Sequence, residues 1–230
     1  MAEFLNTSST WGAFLSAACF GLFYLIQKKT GKVWCNPLLM SSILIGAMTL
    51  TGAVPYEGYR ESSSVLSWLL LPATVSLAVP LYEQWALLKK HLLAILSGIV
   101  SGVIVSLLCA VLLGKAFRLD MTVAVSFLPK SVTSAIGADV ARELGGIPSL
   151  TVVMIILTGI VGNMAAPFLC RVFRLKHAVS RGIAVGTSAH AIGTVKALEM
   201  GEVEGAMSSL AIAVAGILTA FLAPLAAGMM

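Results

Sequence analysis

Ser131 to Gly145 reads SVTSAIGADVARELG, and 56 residues later Thr187 to Gly201 reads TSAHAIGTVKALEMG. The aligned stretches share Ala135/Ala191, Ile136/Ile192, Gly137/Gly193, Ala141/Ala197, Glu143/Glu199 and Gly145/Gly201. Each copy interrupts an apolar chain and then runs into a long apolar segment. Glycine-rich interruptions at matching positions of two repeats are the sequence mark of a transporter whose substrate site lies near the bilayer midplane.

The composition around these stretches fixes the solvent. Apolar residues make up 58% and charged residues 11% of the 230 positions, with a mean hydropathy of +0.97. A water-soluble domain carries about 25% charged residues, so the chain reads as an all-α polytopic membrane protein. The net charge of +5 comes from short basic clusters between apolar runs, which is positive-inside anchoring rather than a nucleic-acid footprint. Cys19, Cys35, Cys109 and Cys170 lie far apart, with neither metal-ligand spacing nor a disulfide framework, and read as packing residues. The absence of a nucleophile elbow or a phosphate-cradling loop argues against an enzyme. We expect no catalytic residues, no cofactor and no metal.

Six segments approach the length needed to cross about 30 Å of hydrocarbon: Trp11–Gln27, Pro37–Val54, Val65–Leu81, Leu92–Gly114, Pro148–Val172 and Ala206–Gly228. Pro72 and Pro80 each remove a helix hydrogen bond inside the third. Residues 1–230 read as one membrane domain, with about four spans in 1–115 and a hairpin-plus-helix unit in each of 116–172 and 173–230. The stretches Ala116–Ile147 and Phe173–Gly205 are too polar to face lipid and too apolar for ordinary loops. Non-helical backbone at membrane depth survives only when buried in protein or lining a wet cavity, so both read as re-entrant or broken-helix segments.

Charge placement orders them. If both segments return without crossing, Lys28, Lys29, Lys32, Lys89, Lys90, Arg171, Arg174, Lys176 and Arg181 fall on one side. Arg60, Lys115, Arg118 and Arg142 fall on the other. That asymmetry predicts both termini outside the cytoplasm and two inverted repeats.

The strings LPKSVT (Leu128–Thr133), GGIP (Gly145–Pro148), RG with GTSAH (Arg181–Gly182, Gly186–His190) and EVEGA (Glu202–Ala206) closely resemble the CidB/LrgB family of bacterial membrane proteins. Gly193-Thr194 with Lys196-Ala197, Asn36-Pro37 and Pro80-Leu81-Tyr82-Glu83-Gln84 are similar to further landmarks of that family. Ser134 and Ala135 depart from it, since members often carry Thr and Pro after LPKSVT. The resemblance implies residence in the bacterial inner membrane and one of two roles. One is an antiholin-like modulator of murein hydrolase activity and autolysis, or a holin-type pore component. The other is a carrier of small monocarboxylates such as pyruvate, glycolate or glycerate. It also implies a small CidA/LrgA-type membrane partner. Six spans are few for an alternating-access machine, so a homodimer is a second expectation.

A small carboxylate needs N–H and O–H donors and modest positive potential, which half-helix N-termini supply. Candidate substrate-binding residues are Lys130, Ser131 and Thr133 in the first break, and Thr187, Ser188, His190, Gly193 and Thr194 in the second. Ser131, Thr133 and Ser134, and likewise Gly186, Thr187 and Ser188, read as helix starts. Lys130 is either a counter-charge or a snorkelling lysine. His190 is a donor, a proton relay or a cross-link between helices. The threonines either meet a ligand or bond backbone within their own helices. Glu199, Glu202 and Glu204 read as a solvated acidic segment, with Glu143 and Glu199 pinning hairpin ends through Arg142 or Lys196.

Overall fold

A computed structural model describes residues 10–31 and 35–230. Residues 1–9 and 32–34, with Lys32 of the first basic cluster, lie outside the described residues, as do the side chains of 70, 71 and 74. The described residues contain helices and no strand. They fall into two compact units, 1–76 and 77–230.

In the first unit, α1 is Trp11–Thr30, α2 Pro37–Leu50, α3 Tyr56–Ser62 and α4 Ser64–Ser76. Asn36 starts α2, its side-chain oxygen accepting from the N–H groups of Leu38 and Leu39 at 3.0 and 3.2 Å, while Pro37 occupies the first turn. Both choices suit helix N-termini, whose first N–H groups have no helical partner. Gly12 lets α1 approach α3, and its N–H donates to Ser62 Oγ at 3.0 Å.

The second unit holds α5 (Ala78–Glu83), α6 (Trp85–Lys90), α7 (Leu92–Ala116), α8 (Met121–Ser126), α9 (Ser134–Glu143), α10 (Pro148–Val172), α11 (Ala178–Met200) and α12 (Glu202–Ala227). Among the described residues three helices, α7, α10 and α12, are long and apolar enough to cross a membrane. Of the other expected spans, α2 has 14 residues, and Val65–Leu81 is divided between α4 and α5. Pro80 has no N–H to return to Ser76, the last residue of α4, which removes a helical bond at the point where the two helices divide.

The first interruption is a tight reversal. After α8 the chain turns through Phe127–Thr133, with Lys130 N–H donating to Phe127 O and Val132 N–H to Pro129 O, each at 3.3 Å. It then runs back as α9. By Ile147 it has returned to the level of Ser126, whose Oγ accepts from Ile147 N–H at 2.7 Å and whose carbonyl accepts from Thr151 Oγ1 at 2.9 Å. Gly145, at φ +74°, makes the turn into α10, a conformation that costs glycine least.

The second reversal lies inside α11, where His190 has φ 41° and ψ −142° and splits the helix. Along the first arm, Gly182 packs on Glu204 and Gly186 on Ser208; along the second, Thr194 meets Ser208 and Leu198 meets Gly205. The contacts on α12 therefore climb and then descend, so the arms are antiparallel. Gly193 seats against Val185 and Ala189 of the opposite arm.

Both reversals lie against α10. The first approaches from its Pro148 end, with Gly137 against Ile155. The second returns from its Val172 end, with His190 against Gly159 and Ala189 against Gly162. The two tips meet near the middle of α10.

Glycine is what lets the arms seat on α12. A Cβ on Gly186 would collide with the backbone of Ser208, which cannot swing aside. Gly186→Val is expected to cost at least about 1–3 kcal/mol, the usual penalty of overpacking. Thermal melting of detergent-purified protein measures this, with Gly21→Ala, which has nothing within 4 Å, melting no lower than the parent.

Candidate functional site

Where the tips meet, an open cleft of about 880 Å³ runs between α7 and α10. One face of α7 supplies Ala94, Gly98, Gly102, Ser106 and Cys109, spaced as helical neighbours. From Ala94 to Cys109 the helix rises about 22 Å at 1.5 Å per residue. The first tip contributes Lys130 and Ser131, and the first arm of α11 contributes Ser180, Ile183, Ala184, Thr187 and Ser188. Met154, Leu157, Thr158, Val161 and Leu169 of α10 form the opposite wall.

Polarity is concentrated at the end near the first tip. Lys130 Nζ donates to Ser106 Oγ at 3.2 Å and to Ser131 Oγ at 3.3 Å, and the two hydroxyls lie 3.0 Å apart. Among the described residues Lys130 makes no ion pair, the pairs being Arg60–Glu57, Arg142–Asp139, Arg181–Glu204 and Lys196–Glu199. Its ammonium is thus held by neutral hydroxyls in an apolar cleft. Thr187 is 5% exposed, and its Oγ1 has no partner among the described residues.

Lys130, Ser131, Thr187 and Ser188 line the cleft; Thr133, His190, Gly193 and Thr194 do not. Thr133 precedes α9 in extended conformation and makes no side-chain capping bond. Gly186, Thr187 and Ser188 lie within the first arm of α11, so the expected helix start is absent there, and Ser188 Oγ donates to Ala184 O at 2.7 Å. The helix that starts at the second tip is the return arm, beyond His190.

His190 shapes the second tip. It is 3% exposed, and its Nε2 lies 2.9 Å from Ile155 O, so this nitrogen carries the proton and donates. Gly159 makes room for the ring, since a Cβ there would stand 2.7 Å from Cε1. Thr194 Oγ1 donates to His190 O at 2.9 Å and lies 2.7 Å from Ser208 Oγ. These residues position the tip from behind.

Three groups escaped the reading of the sequence. Ser106 sits in a run that reads simply as a span. Ser208 meets both arms of α11. Glu204, read as solvated, is 4% exposed and paired with Arg181 across the base of the second reversal. The last was signalled by opposite charges in the RG and EVEGA strings. The expected ion pair of Arg142 with Glu143 is replaced by Arg142–Asp139 at 2.6 Å, whereas Lys196–Glu199 forms at 2.7 Å. Cys109, read as packing, lines the cleft.

The model of the LrgB-like family matches residues 16–229. An uncharacterized protein of Bacillus subtilis, YxaC, is 36% identical over 92% of each chain. Antiholin-like protein LrgB of Bacillus subtilis is 35% identical over 94% of each, and its Bacillus cereus namesake is also 35% identical over 94% of each. No solved structure matches the chain.

His190→Leu fills the space of the ring but removes the bond that ties the second tip to Ile155 O. Losing one such hydrogen bond costs about 0.5–1.5 kcal/mol. Thermal melting of the purified variant is expected to fall accordingly.

Proposed function

This chain belongs to the LrgB-like family, and from that premise we propose that it is a multi-pass carrier of small monocarboxylates in the bacterial plasma membrane. The observation that carries this reading is Lys130, a cation with hydroxyl partners and, among the described residues, no carboxylate, at the polar end of a mostly apolar cleft. A charge at membrane depth costs about 2.5–3.5 kcal/mol on insertion scales and marks an ion or substrate pathway. A monoanion offsets that cost. Ser131, Ser106 and Thr187 offer the hydroxyls a carboxylate or a neighbouring oxygen accepts from. The two reversals around α10 act as inverted hairpin-plus-helix repeats, with about six spans in all and both termini outside the cytoplasm. A small CidA/LrgA-type membrane protein or a second copy of the chain completes the carrier.

The printed names of the relatives favour a second reading, an antiholin-like regulator of autolysis without substrate flux. Uptake separates the two. Proteoliposomes holding the full chain, with and without the small partner, should take up labelled pyruvate or glycolate saturably. Lys130→Gln removes a charge-assisted contact worth about 1.5–3 kcal/mol, so flux should drop roughly 10- to 100-fold. Flux equal in Lys130→Gln and the parent refutes the site. Absence of flux in every arm, together with altered autolysis in cells, favours the regulator.

A further inference from the structure

The groups that hold a small acid stand at one end of the cleft and leave most of it unfilled. A three-carbon acid has roughly six non-hydrogen atoms, which even at a water's share of roughly 30 Å³ apiece fill about 180 Å³. The cleft has about 880 Å³. The remainder runs from Ser106 back to Ala94, about 18 Å along α7 at 1.5 Å per residue, with Gly98, Gly102 and Val105 on one side and Leu157, Val161 and Leu169 on the other. Two hydroxyls that border it, those of Ser101 and Ser188, are turned to carbonyls of their own helices, Gly98 O at 3.0 Å and Ala184 O at 2.7 Å.

Width decides what fits. Spread over the roughly 22 Å from Ala94 to Cys109, the volume gives a mean section of about 40 Å². A helix 10–12 Å across with its side chains needs about 80–110 Å², so no helix enters, whether from another protein or from a second copy. A single unbranched hydrocarbon chain does. Charge then decides which way it lies. Among the described residues lining the cleft, Lys130 is the one that carries a charge, and it stands where the tips meet, level with the middle of α10. A phospholipid keeps its charged group at the membrane surface and brings only a methyl end to Lys130. An alkanoate entering carboxylate first brings its charge there and lays its tail along the groove. The 18 Å of groove is close to half the hydrocarbon thickness, about 15 Å, so such a tail ends near the surface.

We propose that the cleft is a binding site for straight medium-chain alkanoates such as octanoate, with the carboxylate on Lys130, Ser106 and Ser131 and the tail between α7 and α10. This goes beyond the carrier reading and is measured without flux. Where a small acid is also carried, the alkanoate blocks it, because both carboxylates need Lys130.

The test is equilibrium binding of labelled butyrate and octanoate to the full chain in phosphatidylcholine nanodiscs, with binding to empty nanodiscs subtracted. Affinity should rise about 2- to 4-fold for each methylene added, the upper figure being complete burial. Lys130→Gln should weaken octanoate at least about 10-fold, the loss of a charge-assisted contact, and the methyl ester of octanoate should bind the unaltered protein as weakly. Ser101→Phe lays a ring across the groove, while the hydroxyl it removes serves only its own helix; it should bring octanoate close to butyrate. Equal affinity for butyrate and octanoate in the parent, octanoate binding unchanged in Lys130→Gln, an ester that binds as well as the acid, or a full length dependence in Ser101→Phe overturns the proposal. Saturable pyruvate uptake without alkanoate binding overturns this assignment and leaves the carrier reading. Alkanoate binding without pyruvate flux does the reverse.

Discussion

The second reversal is anchored on α10 by one hydrogen bond, from His190 Nε2–H to the carbonyl of Ile155 at 2.9 Å. Away from water, a chain that stops being helical strands its N–H and C=O groups, so it can reverse only where protein supplies partners. The bend in α11 stands at such a place. The imidazole ties it to mid-α10, Thr194 Oγ1 holds the His190 carbonyl at 2.9 Å, and Asn163 donates to Ile192 O at 2.9 Å. The first reversal uses a different device, with Ser126 accepting through both its hydroxyl and its carbonyl. In each case a side chain stands in for a lost helical bond.

Small residues make those reversals fit. Gly182 and Gly186 bring the first arm of α11 onto the backbone of α12, Gly193 lets the return arm lie against the first, and Gly159 and Gly162 hollow α10 where the tip lands. Without a hydrophobic driving force between helices in lipid, close backbone approach through small residues drives association. The core between α7 and α12 follows the same logic, with Ala206, Ala211, Ala215 and Ala223 buried against Ile95, Ile99 and Val103.

Much of this was legible in the sequence. Glycine, alanine and glutamate at matching positions located both interruptions, and long apolar runs located α7, α10 and α12. The distribution of roles was less legible. Lys130 and Thr187 line the cleft while His190 and Thr194 stand behind it; facing is set by which arm of a reversal a residue occupies, and sequence spacing does not fix the residue at which the chain turns. The turn falls at His190, after GTSA, so the hydroxyls expected to start a helix end one instead. Ser106 was invisible because a serine inside an apolar span ordinarily bonds its own backbone, as Ser97 and Ser101 do, and only the tip opposite gives it another task. Glu204 was misread because acidic residues near a helix start usually face water, whereas here Gly182 and Arg181 close over it.

Lys130 stands toward one end of a groove some 20 Å long whose walls are mostly apolar, with Ser101, Thr158 and Ser180 among them. Such walls screen poorly, so its field reaches along the groove. At about 15 Å and an effective dielectric of about 20, a unit charge still feels about 1 kcal/mol. On the carrier reading, that field draws a negative ion along the groove toward Lys130 and repels a positive one, so sign is sorted before shape is recognised.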